Sequence, residues 1–421
     1  MDIEGCAVSD ERILKILSAL SQEWVGKPVI MSPINPLTYD LSVLYVGLAY
    51  MTSKKDQLIS QRGKIDVDPG ATLPRNSLLV DIIVGAKDEH GRALGGRFQG
   101  VMTASSHLPR SAHGNLEERL NDFIREGVAE ARADYYARLA RGAAIHGPVM
   151  ENLGRARHAP NVSVQFRKWR PNRRALVKAL NEASALLARD ARFRFPVVEA
   201  ELFSEHLRFV NSEGAQHSDY FHGIRYELRA SMYDDKDRLL EKYASLYTVG
   251  DDIGARKLLS RARALERYLK REYNSKRCPL QEPTVVPVLL DHNAAHTFIH
   301  ETTTHPLELP LILQQGDAEA VAELGLGFSP ESFGTRVAAP GVTLKVNPAL
   351  VGAQGETLWG TSLFDLEGTR AREKFLIRDG ILVGAYASRS DVECLRALTG
   401  YDVYPGDARL LIDSEETTFP P

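Results

Sequence analysis

Apolar residues along the chain recur with two different periods. Between Ser9 and Trp24 they fall at Ile13, Leu14, Leu17, Leu20 and Trp24, the three-to-four-residue step of a helix face, with Ser9 or Asp10 placed to cap it. Past Pro28, Pro33 and Pro36 the period shortens to that of strands. Leu41 to Met51, Leu58 to Val67 and Ser77 to Val84 are β-rich runs, separated by Gly63 and by the turn signal Asp68-Pro69-Gly70. Helical spacing returns after Asn115-Leu116-Glu117-Glu118, a cap with a capping-box glutamate. Leu116, Leu120, Phe123, Val128, Ala131, Tyr135 and Leu139 then mark one face of a long helix. This first unit reads α-β-β-β-α.

A similar order follows. Arg173 to Ala191 reads as a helix, Val197 to Phe203, Leu207 to Asn211, Tyr220 to Met232 and Leu239 to Val249 as strands, and Ala255 to about Lys276 as a second long helix. Gly63 in "LISQRGKIDV" and Gly214 in "LRFVNSEGAQ" sit at equivalent turns, which hints at duplication of an αβββα unit. After the prolines between Cys278 and Pro287, the run Val285, Val286, Val288, Leu289, Leu290 predicts a buried strand leading into a histidine-rich stretch. From Gly341 on, "GVTLKVNP" and "KFLIRDGILVGAY", with Asp379-Gly380 as a two-residue turn, predict mostly antiparallel sheet. The fold class is thus α+β, largely antiparallel sheet with long helices. It divides into an N-terminal α+β unit (1–160), a second α+β unit (161–280) and a β-rich C-terminal domain (281–421) entered by the histidine helix.

The histidine stretch, His296 to Glu308, is where metal-ligand side chains and carboxylates crowd together. His300 followed at once by Glu301 resembles the zinc-protease helix, in which two imidazoles hold the metal and the adjacent glutamate takes a proton from water. Here the second histidine, His305, comes one residue late. On a regular helix a five-residue step sets two side chains about 140° apart, too far round to share an ion. A π-bulge would lodge the surplus residue and return His300 and His305 to one face. The pair His296 and His300 has the usual four-residue step but is followed by Thr297 where a glutamate would be needed. The preferred set is therefore His300, Glu301 and His305, with His292 and His296 as packing residues or partners that orient a ligand.

Composition narrows the function classes. With 421 residues, 43% hydrophobic, 25% charged and a net charge of −3, the chain has the profile of an ordinary soluble protein and not that of a general binder of nucleic acid or anionic membrane. The basic cluster Arg167, Lys168, Arg170, Arg173 and Arg174 around Trp169 reads as a linker and helix start. The basic run from Arg256 to Arg271, interleaved with Glu266, reads as a solvated helix face. No apolar run is long enough to span a membrane. Three scattered cysteines, Cys6, Cys278 and Cys394, suit reduced thiols in a cytoplasmic setting.

Two motifs in order carry a family resemblance. "HETTTHPLE", followed by "GTSLFDLEGTRAREKFLIRDGILVGAYASR", resembles the TldD/PmbA metallopeptidases, and the upstream "LLVDIIVGAKDE" and "LRFVNSEGAQ" extend the likeness over most of the chain. The resemblance implies a cytoplasmic Zn²⁺-dependent hydrolase of peptides or unfolded segments. It would act in a cavity shared by two subunits of a homodimer or of a heterodimer with a TldD/PmbA-type partner, without nucleic acid or membrane. His300 and His305 become the metal ligands and Glu301 the general base. The family's third ligand is a cysteine from further sheet after the hairpin. With the sequence ending at Pro421, Cys394 and Glu308 are the donors at hand, and the alternative expectation is a non-catalytic PmbA-like partner subunit or a degenerate relative with an incomplete zinc site.

Overall fold

The computed structural model describes residues 10–29, 41–67, 75–87, 93–104, 116–142, 169–275, 285–309, 328–350, 357–365 and 367–406. Helix α1 (Asp10–Trp24) precedes four strands, β1 (Ser42–Gln61), β2 (Lys64–Val67), β3 (Arg75–Lys87) and β4 (Ala93–Ala104), and helix α2 (Leu116–Gly142). Helix α3 (Arg173–Leu187), strands β5 (Arg194–Asn211), β6 (Gln216–Tyr233) and β7 (Leu239–Val249), and helix α4 (Ala255–Tyr273) follow. All seven strands form one antiparallel sheet in the order β4-β3-β1-β5-β6-β7, with β2 folded back on β1. The two expected α+β units therefore share a sheet. Their strands are set symmetrically about the β1–β5 pair, whose register runs from Gly47↔Asn211 to Gln61↔Val197.

Periodicity explains which face is covered. Val46, Leu48 and Leu58 of β1 and Val198, Ala200, Leu202 and Val210 of β5 are even-numbered and pack under the helices. One core joins α1 and α2 to β1 and β3; the other joins α3 and α4 to β5 and β6. A bulge between Val43 and Tyr45 shifts the alternation, so Tyr45 turns to the opposite face. There Ala49, Leu207 and Phe209 meet Phe364 from the C-terminal part.

The expected strands Leu41–Met51 and Leu58–Val67 are largely one strand, β1, with the chain reversing at Arg62-Gly63 into β2. The polar middle, Thr52 to Gln57, lies between the two helix-covered zones, so it carries no apolar alternation. The same reason joins Val197–Phe203 and Leu207–Asn211 in β5. Strand β4 has no counterpart in the sequence reading. The run Val285–Leu290 is neither buried nor a strand: it pairs with no strand among the described residues, and Val285 and Leu289 are 102% and 99% exposed. Beyond it come helix α5 (His292–Ile299), a small antiparallel sheet of β8 (Leu344–Val346), β9 (Lys374–Arg378) and β10 (Ile381–Leu382), and helix α6 (Arg389–Thr399). The β9–β10 turn is Asp379-Gly380, both at positive φ, as a tight hairpin requires. Leu307, Leu309, Leu376, Leu382, Val392 and Leu395 close a separate core around these elements.

Candidate metal centre

Helix α5 is capped by Asp291, whose Oδ1 accepts the Ala294 N–H at 2.9 Å while Oδ2 lies 3.6 Å from Lys242 Nζ on β7. After Ile299 the winding loosens into a π-turn, His300–Thr304, and the His305 N–H donates to His300 O five residues back. Pro306, without an N–H, ends the helix in a short 3₁₀ turn, His305–Leu307.

The loosened turn brings the late histidine round. The His300 and His305 ring centroids are 4.4 Å apart, and one donor atom from each of His300, Glu301 and His305 falls within 4.8 Å of the others. Both imidazoles are half-buried and Glu301 is exposed. His305 Nδ1 contacts Glu308 Oε1 at 2.7 Å, which places the ring proton on Nδ1 and leaves Nε2 as the free lone pair. Glu308 thus serves His305 and stands outside the three-residue cluster. His296 stacks parallel to His300 at 6.3 Å without joining the cluster. Cys394 lies on α6, and its side chain, like that of His292, is outside the described residues. Two imidazoles and a carboxylate, one ring already oriented, suit a divalent transition metal.

Asp365 and Glu367 of the second motif are buried. Asp365 Oδ1 accepts the N–H groups of Glu367 and Thr369 at 2.9 and 2.8 Å, closing the turn through Gly368. A Cβ at Gly368 would meet Ala215 at 2.8 Å, so glycine lets this turn seat on the large sheet. Glu367 Oε1 takes 2.7 Å from Arg97 Nη2, whose guanidinium also grips Asp81 at 2.8 and 2.6 Å; Oε2 takes 2.7 Å from the Arg389 N–H. Arg389 in turn binds Glu213 at 2.5 and 2.9 Å. Burial pushes the Glu367 carboxyl up, against the pull of Arg97. Nothing local in the sequence announces these partners, the farthest of which is 270 residues away.

Residues 283–402 match the family model for the PmbA/TldA metallopeptidase C-terminal domain, a span that contains both the histidine turn and the buried Glu-Gly-Thr turn. This part of the chain is similar to the C-terminal domain of the TldD/PmbA family. A relative from Methanothermobacter thermautotrophicus, described as a metalloprotease, is 32% identical over 102 residues, or 24% of this chain and 19% of the relative. The match thus spans about a fifth of that relative's length. Two solved structures have the same fold. One, from Bacteroides thetaiotaomicron, aligns with TM-score 0.58 and 12% identity over 96% of this chain and 77% of its own. The other, from Thermotoga maritima, aligns with TM-score 0.51 and 15% identity over 86% and 70%. Both are titled as candidate modulators of DNA gyrase. Among the described residues no helix is long and apolar enough to cross a membrane.

Proposed function

We propose that this chain is a zinc-dependent, cytoplasmic peptide hydrolase acting on peptides or unfolded segments. The observation that carries the reading is the π-turn that gathers His300, Glu301 and His305 within 4.8 Å on a segment whose family model is that of a metallopeptidase. His300 and His305 would hold the ion through ring nitrogens, with Cys394 the candidate third ligand, since a Glu308 oxygen is engaged by His305. Bound there, Zn²⁺ supplies Lewis acidity toward a water and a scissile carbonyl. The rest falls to the chain's own groups. The Glu301 carboxylate, exposed beside the two imidazoles, accepts the proton of the attacking water and returns it to the leaving amine. Glu308 holds His305 in one tautomer throughout. The exposed apolar residues Val285 and Leu289, in the segment leading into α5, and Phe298 and Ile299 within it support assembly with a second copy or a homologous subunit, which would cover them.

Metal titration together with peptide cleavage tests this. One equivalent of Zn²⁺ or Co²⁺ should bind the wild type and be lost in His300→Ala and His305→Ala. Glu301→Gln should keep the metal and lose cleavage by at least ~100-fold. Full cleavage by Glu301→Gln would overturn the hydrolytic mechanism, and absence of metal from the wild type would overturn the zinc reading. Loss of the metal in Cys394→Ser with retention in a Glu308 variant would identify the third ligand.

A further inference from the structure

We propose that Glu367 is a positioning residue for the His305 limb of the metal cluster, clamping the backbone that carries this limb to the large sheet. The proposal rests on the metal-site reading above and deepens it. The chain leaving the histidines does not run free. Leu309 N–H donates to Tyr386 O at 2.8 Å and Tyr386 N–H to Leu307 O at 2.9 Å, so Leu307–Leu309 lies as a short parallel bridge on Tyr386, with Glu308 at its centre. Glu308 is the residue whose carboxylate holds His305 Nδ1. Three residues beyond Tyr386 stands Arg389, the first residue of α6, and its N–H is held by Glu367 Oε2. The other oxygen, Oε1, is held by Arg97 of β4, itself forked onto Asp81 of β3.

Each carboxylate oxygen of Glu367 therefore serves a different body. One fixes the segment between β10 and α6 on which the histidine limb rests, and the other fixes the sheet. Both contacts are charge-assisted and shielded from water, where such bonds are strongest and an unpaired donor is most costly. Glutamine has the same length but presents one acceptor and one donor group, so one of the two bodies would face an N–H with an N–H. Arg389 also reaches Glu213 in the turn after β5, a second strap between the same two parts. Glu308 joins this chain of contacts to the cluster through His305 Nδ1, the nitrogen turned away from a bound ion. Its effect on a bound ion is one of placement.

The test uses the full chain and two readouts, Co²⁺ affinity by competition titration and amide hydrogen exchange at Leu309 and Tyr386. In Glu367→Gln the exchange of both amides should accelerate at least ~10-fold, and Co²⁺ affinity should fall ~10- to 100-fold, the loss typical of removing an outer support of a metal ligand. Both should occur with far-ultraviolet circular dichroism unchanged. Glu213→Gln, which removes the outer and half-exposed strap, should shift both readouts in the same direction by less, and it stands in if Glu367→Gln does not fold. Unchanged exchange at Leu309 overturns the clamp, and faster exchange with unchanged Co²⁺ affinity overturns its role in placing His305. If the wild type binds no Co²⁺, the metal reading falls by itself and exchange alone decides whether the clamp exists.

Discussion

His305 has two ring nitrogens, and its 2.7 Å contact with Glu308 assigns them different work. With Nδ1 engaged, the ring cannot flip to offer its other nitrogen without breaking its bond to a partly buried carboxylate. Glu308→Ala should therefore weaken Co²⁺ binding by roughly 10- to 100-fold while leaving one site per chain, and a competition titration reads this directly. A second residue-scale expectation concerns acid. Asp190, in the turn after α3, accepts from Arg192 at 2.7 Å and lies 3.5 Å from Lys270 of α4; the Arg192 bond is the main reason its carboxyl sits well below the usual range. A carboxyl depressed in the folded state adds stability above its unfolded pKa and loses it as pH falls through the folded one. Because Arg192 and Lys270 are partly exposed, the contribution is about 1 kcal/mol. Urea unfolding of Asp190→Asn should show about that loss at pH 7 and a flatter stability curve below pH ~4.

At the scale of elements, β4 and α2 pack so closely that Gly96 has no room for a side chain: a Cβ there would lie 2.1 Å from Tyr135 N and 2.2 Å from Ala131 O. Backbone cannot step aside as a flexible side chain can, so Gly96→Ala should cost roughly 1–3 kcal/mol or more, measurable as a lowered denaturation midpoint. The same glycine explains why β4 was illegible. Its sequence, with Gly95, Gly96 and Gly100, trades the side chains that signal a strand for close approach of a helix. The helices α1, α2 and α4, strand β7 and the Asp379-Gly380 hairpin were legible because each shows its period or turn residues locally. Helix α6 was missed although Ser388 caps it with Asp391 and Gly400 ends it at positive φ, both readable signs. At the candidate site the late histidine and its π-turn could be read from spacing. The burial of Glu367 could not, because Arg97 and the Arg389 N–H reach it only through tertiary packing.

For the molecule as a whole, Val285, Val286, Val288, Leu289 and Leu290 leading into the metal helix, and Phe298 and Ile299 within it, are exposed apolar side chains among the described residues, and together they are a candidate apolar flank. If that flank is a subunit contact, Val285→Asp with Leu289→Asp should convert a sedimenting dimer to monomer while the metal site is retained; a wild type that is already monomeric at micromolar concentration would remove the subunit proposal. The central strand pair has a different consequence, one of timing. Strand β1 is flanked by β3, made shortly after it, and by β5, made on the order of 150 residues later. At ~5–20 residues per second, a ribosome leaves one long side of β1 without its neighbour for roughly 8 to 30 s. During that interval a 20-residue strand rich in Val, Leu and Tyr is an open template for other nascent chains. The protein's yield in cells should therefore depend on translation speed and on chaperones that shelter β1 until β5 emerges, even though the finished sheet pairs that side from Gly47 to Gln61.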